Sequence, residues 1–182
     1  GSLVGAGTVR TQVLGTENRE PTTDELQRMQ ELVREAMRVG AFGLSTGLIY
    51  VPGTYAKTAE ITALAKAAGE FGGLYASHIR NENDDVLAAV NEALQIGRDA
   101  GVAVEVSHVK NTGKPNWGRS REVLELLAKA RASGQRVHVD QYAYDASSTG
   151  LDVLFPSDAL SIGRTEFARR LREDSAFREQ MH

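Results

Sequence analysis

Between Asp24 and Val39, Leu26, Met29, Val33 and Met37 recur at steps of three and four, the spacing that gathers apolar side chains on one face of an α-helix. Thr22 and Glu25 stand three apart at the front of this run, as a capping box requires, and Gly40 follows as a stop. The pattern then shortens: "AFGLSTG" (41–47) is apolar and reads as a strand. A second helix over about 59–71 ends on Gly72-Gly73, and the strand-like "LYASH" (74–78) follows. The alternation continues with a helix over 84–99 that carries Val86, Val90 and Leu94, a strand in "VAVEVSH" (102–108), a helix over 119–132 and a strand in "RVHVDQY" (136–142). Upstream, "TVRTQVLG" (8–15) reads as one more strand of the series.

Strands beginning near Phe42, Leu74, Val102 and Arg136 are spaced by 32, 28 and 34 residues, each pair bridged by an amphipathic helix. Successive βα units of that length imply a parallel α/β sheet. Both a doubly wound open sheet and a (β/α)8 barrel accept the series. The polar residues discriminate between them, because Ser45, His78, His108 and Asp140/Tyr142 each close a successive strand, where barrel enzymes keep their chemistry. An open sheet normally places a glycine-rich turn at one switch point, and no G-x-G-x-x-G follows any strand. The expected fold is therefore part of a (β/α)8 TIM-type barrel, about five units long. Residues 1–150 form the barrel part, and 151–182, less regular from Ser147 to Gly163, begin an insertion or a further helical segment.

Composition narrows the function. At 182 residues, 41% hydrophobic and 25% charged, the chain can bury a core. A net charge of −3 with scattered Lys and Arg argues against a nucleic-acid partner. No apolar run is long enough to span a bilayer, and the lack of cysteine excludes disulfides and suits a cytoplasmic setting. The chain opens close to a strand and stops in helix-like sequence, so both ends look cut. Exposed sheet edges would then permit self-association.

His78 and His108, two of only four histidines, occupy matching positions of adjacent units, in "ASHIRN" and "VSHVKN". Over a barrel mouth their imidazoles would converge as ligands of a divalent metal. A lone histidine of this kind is more often a hydrogen-bonded rim residue, but two in register favour function. "GLSTG" (43–47) matches the G-x-S-x-G nucleophile elbow, yet "LIYVPGTYAK" follows where the elbow needs a helix. Its glycines instead let the backbone turn and set Tyr50 over the mouth. Lys110 could hold a substrate anion at the same mouth or be a solvated loop lysine. Tyr142, Tyr144 and the hydroxyl-rich "DASSTG" could orient a carboxylate or cap backbone groups. His138 shares strand parity with Asp140 but lies deep in its strand, which suggests packing.

Together, "AFGLSTGLIYVPGTYA", "GGLYASHIRNE", "VEVSHVKNTGKPNWG" and "VDQYAYDASST" resemble the D-aminoacylase (N-acyl-D-amino-acid deacylase) family of the amidohydrolase superfamily. The resemblance runs from about Val4 to Leu151 and, less closely, through "FARRLREDSAFREQM". It implies a zinc-dependent hydrolase that cleaves N-acyl-D-amino acids into D-amino acid and carboxylate. His78 and His108 would be zinc ligands at the fifth and sixth strands, and Tyr50, in a Y-x-P-G loop, would assist at the scissile carbonyl or the acyl end. Lys110, Tyr142 and Ser148 would line the substrate pocket, the last two near the amino acid's carboxylate. The family's "YPY" reads "YAY" here, with Ala143 in place of proline. Its His-x-His on the first strand, the Cys or Glu ligand that follows and the Asp base on the last strand have no counterpart. The chain is thus read as an internal fragment, strands three to seven with the first and last strands missing, and inactive by itself. Other amidohydrolases, dihydropyrimidinase-like or dipeptidase-like, a non-catalytic structural fragment, and a metal-independent sugar- or nucleotide-binding domain remain as alternatives. The last predicts that His78 and His108 do not converge.

Overall fold

A computed structural model describes residues 1–181. Five parallel strands form one sheet in sequential order: β1 (Val4–Gly5), β2 (Gly43–Gly47), β3 (Leu74–His78), β4 (Val104–Val106) and β5 (Val137–Val139). The order never reverses, so the sheet has no topological switch point. This is the connectivity of a barrel wall rather than of a doubly wound sheet.

Five helices join the strands: α1 (Ala6–Leu14), α2 (Thr23–Arg38), α3 (Thr58–Gly69), α4 (Val86–Ala100) and α5 (Ser120–Ala132), each packed against the next. Leu44, Tyr75, Val104 and Val137 are in register across β2 to β5 and all are buried under this helical layer. The opposite parity carries Ser45, Ala76, Glu105 and His138 on the other face of the sheet, where Ala76 is covered, Ser45 and Glu105 are half-buried and His138 is exposed. One face is therefore a mainly apolar core, in which the buried Thr46, Tyr75 and Ser77 hydroxyls bond to one another, and the other is a more polar lining. Burial, and then the nearby Asp140 carboxylate, raise the Glu105 carboxyl above its ordinary range.

Local signals explain most boundaries. The Thr22–Glu25 capping box forms in full, with Thr22 N donating to Glu25 Oε2 at 2.8 Å and Glu25 N donating to Thr22 Oγ1 at 3.3 Å. Gly101 ends α4 in the left-handed conformation at φ 72°, which a residue without Cβ adopts freely. Gly73 lets two layers approach, because a Cβ there would meet Met37 Cε at 2.7 Å and Ala68 O at 2.9 Å.

Two expectations need correction. "TVRTQVLG" is not a strand: residues 8–14 belong to α1, and the strand is the shorter Val4–Gly5 before it. The buried positions Ala6, Val9, Arg10 and Leu14 follow a helical period that the valines and threonines disguise as β-propensity. His138 does lie within its strand, but it is exposed on the polar face rather than packed.

Residues 151–181 add two short 3-10 turns, Leu151–Leu154 and Ala159–Ile162, then α6 (Arg164–Glu173) and α7 (Ser175–Gln180). Phe167 centres an aromatic cluster, with ring centroids 5.0 Å from Phe155 and 5.7 Å from Phe177. The segment is tied to the barrel part by Tyr55, whose hydroxyl donates to Ser157 O, and by Thr16, which donates to Ser161 O at 3.3 Å.

Candidate metal centre

Each functional side chain stands at or just beyond the carboxyl end of a strand. His78 is the last residue of β3, and its carbonyl accepts from Leu48 N at 3.2 Å, which ties it to the loop leaving β2. His108 follows β4 by two residues with φ 40°, a left-handed conformation unusual for a residue with a side chain. Asp140, just past β5, stabilises that turn: its Oδ1 accepts from His108 N at 2.6 Å, and its carbonyl accepts from Val109 N at 3.0 Å.

The turn brings the two imidazoles together. His78 Nδ1 and His108 Nε2 are 2.8 Å apart, with the rings edge-on at 74°. Two nitrogens at that separation can both reach a common ion at about 2.1 Å, the usual zinc–nitrogen length. Burial pushes the His78 imidazole down to about 4 against the upward pull of Glu82, and His108 and Lys110 add to the lowering. At neutral pH its ring is uncharged and keeps a lone pair for a metal.

Glu82 joins them, and sequence inspection missed it. Ligand atoms of His78, Glu82 and His108 all lie within 4.8 Å of one another. Its Oε1 is 3.2 Å from His108 Nδ1, 3.9 Å from His78 Nε2 and 2.5 Å from Lys110 Nζ. The spacing of four from His78 was visible, but only the fold of the intervening turn gives it meaning. Asn81 Oδ1 shapes that turn by accepting from Asn83 N at 2.7 Å and Asp85 N at 3.3 Å.

The remaining expected residues surround the pair. Tyr50 tilts over His78 with centroids 5.2 Å apart, and its hydroxyl is 3.0 Å from Thr149 Oγ1. Lys110 Nζ lies 5.6 Å from the ring centre of Tyr142, a cation–π distance, and the Tyr142 ring is 6.3 Å from that of His108. Ser148 lies on the wall of the same cleft, which has a volume of about 560 Å³. Arg80 braces the rim, donating to Thr54 O and Ala56 O at 3.1 and 2.8 Å and pairing with Glu92 at 2.8 Å. Ser45 is no nucleophile elbow: its hydroxyl faces Val4 O at 3.4 Å, and the next α-helix starts only at Thr58.

No family model matches the chain. Curated sequences do: it is 42% identical to D-aminoacylase of Alcaligenes xylosoxydans xylosoxydans over 163 residues, 90% of this chain and 33% of that protein. The N-acyl-D-glutamate deacylase of the same organism is 41% identical over 158 residues, 87% of this chain and 32% of the relative. A crystal structure of D-aminoacylase, described as defining a novel subset of amidohydrolases, superposes with TM-score 0.75 at 43% identity, covering 78% of this chain and 30% of that one. Over the matched part the chain is similar in sequence and fold to D-aminoacylase.

The relationship extends to N-acyl-D-glutamate deacylase of Bordetella bronchiseptica, solved with zinc and a phosphonate that mimics the tetrahedral intermediate, with TM-score 0.74 and 45% identity over 78% of this chain and 30% of that one. The chain spans about a third of the length of the curated D-aminoacylase relatives it matches. Within that third, the open five-stranded sheet corresponds to part of a barrel wall.

Proposed function

We propose that this chain builds one side of the active centre of a zinc-dependent deacylase that hydrolyses N-acyl-D-amino acids to the D-amino acid and a carboxylate. The observation that carries the reading is the 2.8 Å approach of His78 Nδ1 to His108 Nε2 at the carboxyl ends of adjacent strands. A cleft of about 560 Å³ suits a small-molecule substrate. His78 and His108 would hold the ion through those nitrogens. Bound there, zinc supplies Lewis acidity, polarising an amide carbonyl and making a coordinated water more acidic.

The chain's own residues bind and orient. Lys110, held beside the pair, attracts an anionic group of the substrate, and Tyr142 beneath its ammonium fixes the direction of approach. Ser148 and the neighbouring hydroxyls receive the amino acid's carboxylate, and the Tyr50 hydroxyl donates toward the carbonyl or the acyl end. The Tyr50 and Tyr142 rings exclude water from the ion's surroundings, which strengthens each of these charge interactions. Catalytic zinc usually has three protein ligands besides water, and the pair with Glu82 is the only group of its kind among the described residues. Alone, residues 1–182 bind zinc weakly and turn over no substrate. None of the described helices is long and apolar enough to cross a membrane, and with no cysteine present we assign the protein to the cytoplasm.

Calorimetric zinc titration tests the reading. Binding that is lost in both His78→Ala and His108→Ala supports it, and binding that survives both rejects it. In the zinc-loaded protein, N-acetyl-D-amino acids should perturb the Lys110 and Tyr142 NMR signals more than their L-enantiomers do. Rapid deacylation by residues 1–182 would overturn the inactivity of the chain by itself.

A further inference from the structure

The segment 48–57 that carries Tyr50 contains one short 3-10 turn, Gly53–Tyr55, and is otherwise irregular, so its shape depends on what holds it. Its first anchor is Leu48 N, which donates to His78 O at 3.2 Å. Arg80 supplies the second, from two residues beyond the same histidine. Its Nη1 donates to Thr54 O at 3.1 Å and its Nη2 to Ala56 O at 2.8 Å, the carbonyls on either side of the buried Tyr55. Glu92 of α4 fixes the guanidinium in turn, with Nε donating to Oε2 at 2.8 Å and Nη2 to Oε1 at 2.9 Å. Thr58 Oγ1, at the start of α3, donates to the same Oε1 at 2.8 Å. Burial pushes the Glu92 carboxyl up, but the bonds from Arg80 and Thr58 outweigh it and hold the group below its ordinary range.

We propose that Arg80 is a positioning residue for Tyr50: by gripping the Thr54 and Ala56 carbonyls it holds the Tyr50 ring over His78. The path between them is short. Thr54, whose carbonyl Arg80 holds, donates its own N–H to Tyr50 O at 2.8 Å, and the Tyr50 ring lies 5.2 Å from that of His78. Both ends of the segment are thus tied to the end of β3, one through the His78 carbonyl and the other through Arg80, which keeps the phenol at a set distance from the imidazole. A planar guanidinium, with donors in fixed directions, can serve a bidentate carboxylate and two carbonyls at once, and a lysine ammonium in its place cannot. This role rests on the deacylase reading, in which the Tyr50 hydroxyl donates toward the substrate.

The test is proton NMR of the metal-free protein, reading nuclear Overhauser cross-peaks between the Tyr50 and His78 rings. Arg80→Lys keeps the charge and a long apolar stem but loses the fork, and the cross-peaks should disappear while the amide signals of β2 to β4 stay where they are in the parent. Glu92→Gln, which removes the charge that fixes the guanidinium, should weaken the same cross-peaks. Arg34→Lys is the control, because Arg34 forms a similar fork to Glu70, with both bonds at 2.8 Å, between α2 and α3, and it should leave the cross-peaks intact. Cross-peaks of parental strength in Arg80→Lys, or in Glu92→Gln if Arg80→Lys does not fold, overturn the role of Arg80. Their loss in Arg34→Lys as well would overturn it too, since general loosening would then explain both. No arm needs zinc, so a chain that takes up no zinc rejects the deacylase reading and leaves the hold of Arg80 on Tyr50 to be decided by these spectra.

Discussion

Arg10 of α1 and Glu60 of α3 form an ion pair whose removal should cost more stability than any surface substitution. Their side chains are 1% and 4% exposed, and Arg10 Nη1 donates to Glu60 Oε2 at 2.5 Å. Arg10 Nη2 also donates to Arg19 O at 2.6 Å and to Glu17 O at 3.3 Å, so the guanidinium closes the loop after α1 as well as joining two helices. Arg10→Met would leave a buried carboxylate without its cation and two carbonyls without their donor. Removing one partner of a buried pair costs about 3–5 kcal/mol. At about 2–4 °C per kcal/mol for a chain of this size, melting should fall by about 6–20 °C. Arg10→Met with Glu60→Leu removes both charges together and should be the more stable variant of the two. Urea unfolding at pH 7 followed by circular dichroism measures both. An Arg10→Met protein within about 1 kcal/mol of the parent, or a double variant less stable than the single one, would refute the reasoning. The consequence reaches the site, because the pair lies beneath Gly47 and Gly53, which flank the loop carrying Tyr50.

Acid should weaken the fold through His78. Its imidazole titrates near 4 when folded and near 6.5 when unfolded, so only the unfolded chain gains a proton between those values. That contribution is complete above pH 6.5 and is lost toward pH 4, by up to about 3 kcal/mol; urea midpoints at pH 7 and 5 should differ more in the parent than in His78→Gln, and equal differences would contradict this. Gly53→Ala should cost about 1–3 kcal/mol and shift the Tyr50 loop, since the added Cβ would lie 2.6 Å from Gly47 O; an unchanged melting temperature would count against it. Ser45→Ala should leave zinc affinity unchanged, because the hydroxyl faces Val4 O rather than the imidazoles, and a calorimetric titration would expose any loss.

Where the signal is local, it could be read directly from the chain. The capping box of α2 needs only Thr22 and Glu25 three residues apart, and "LYASH" needs only an apolar run between glycine and charge. Repetition of βα units announced the parallel sheet, and matching positions of His78 and His108 announced their convergence. The misread "TVRTQVLG" shows the limit: in so short a segment valines and threonines suit strand or helix, and burial of Ala6, Val9, Arg10 and Leu14 against neighbouring elements decides.

Glu82 and Asp140 belong to that second class. Glu82 reaches the site only when the Asn81 turn brings its carboxylate beside Lys110 and His108, and Asp140 does so only when β5 pairs beside β4 and meets His108 N. The chain alone therefore determined which units repeat and which imidazoles meet, because periodicity and spacing are written along one dimension. Tertiary structure decided which groups surround those imidazoles, because a carboxylate acts through distance and direction across strands that are far apart in sequence.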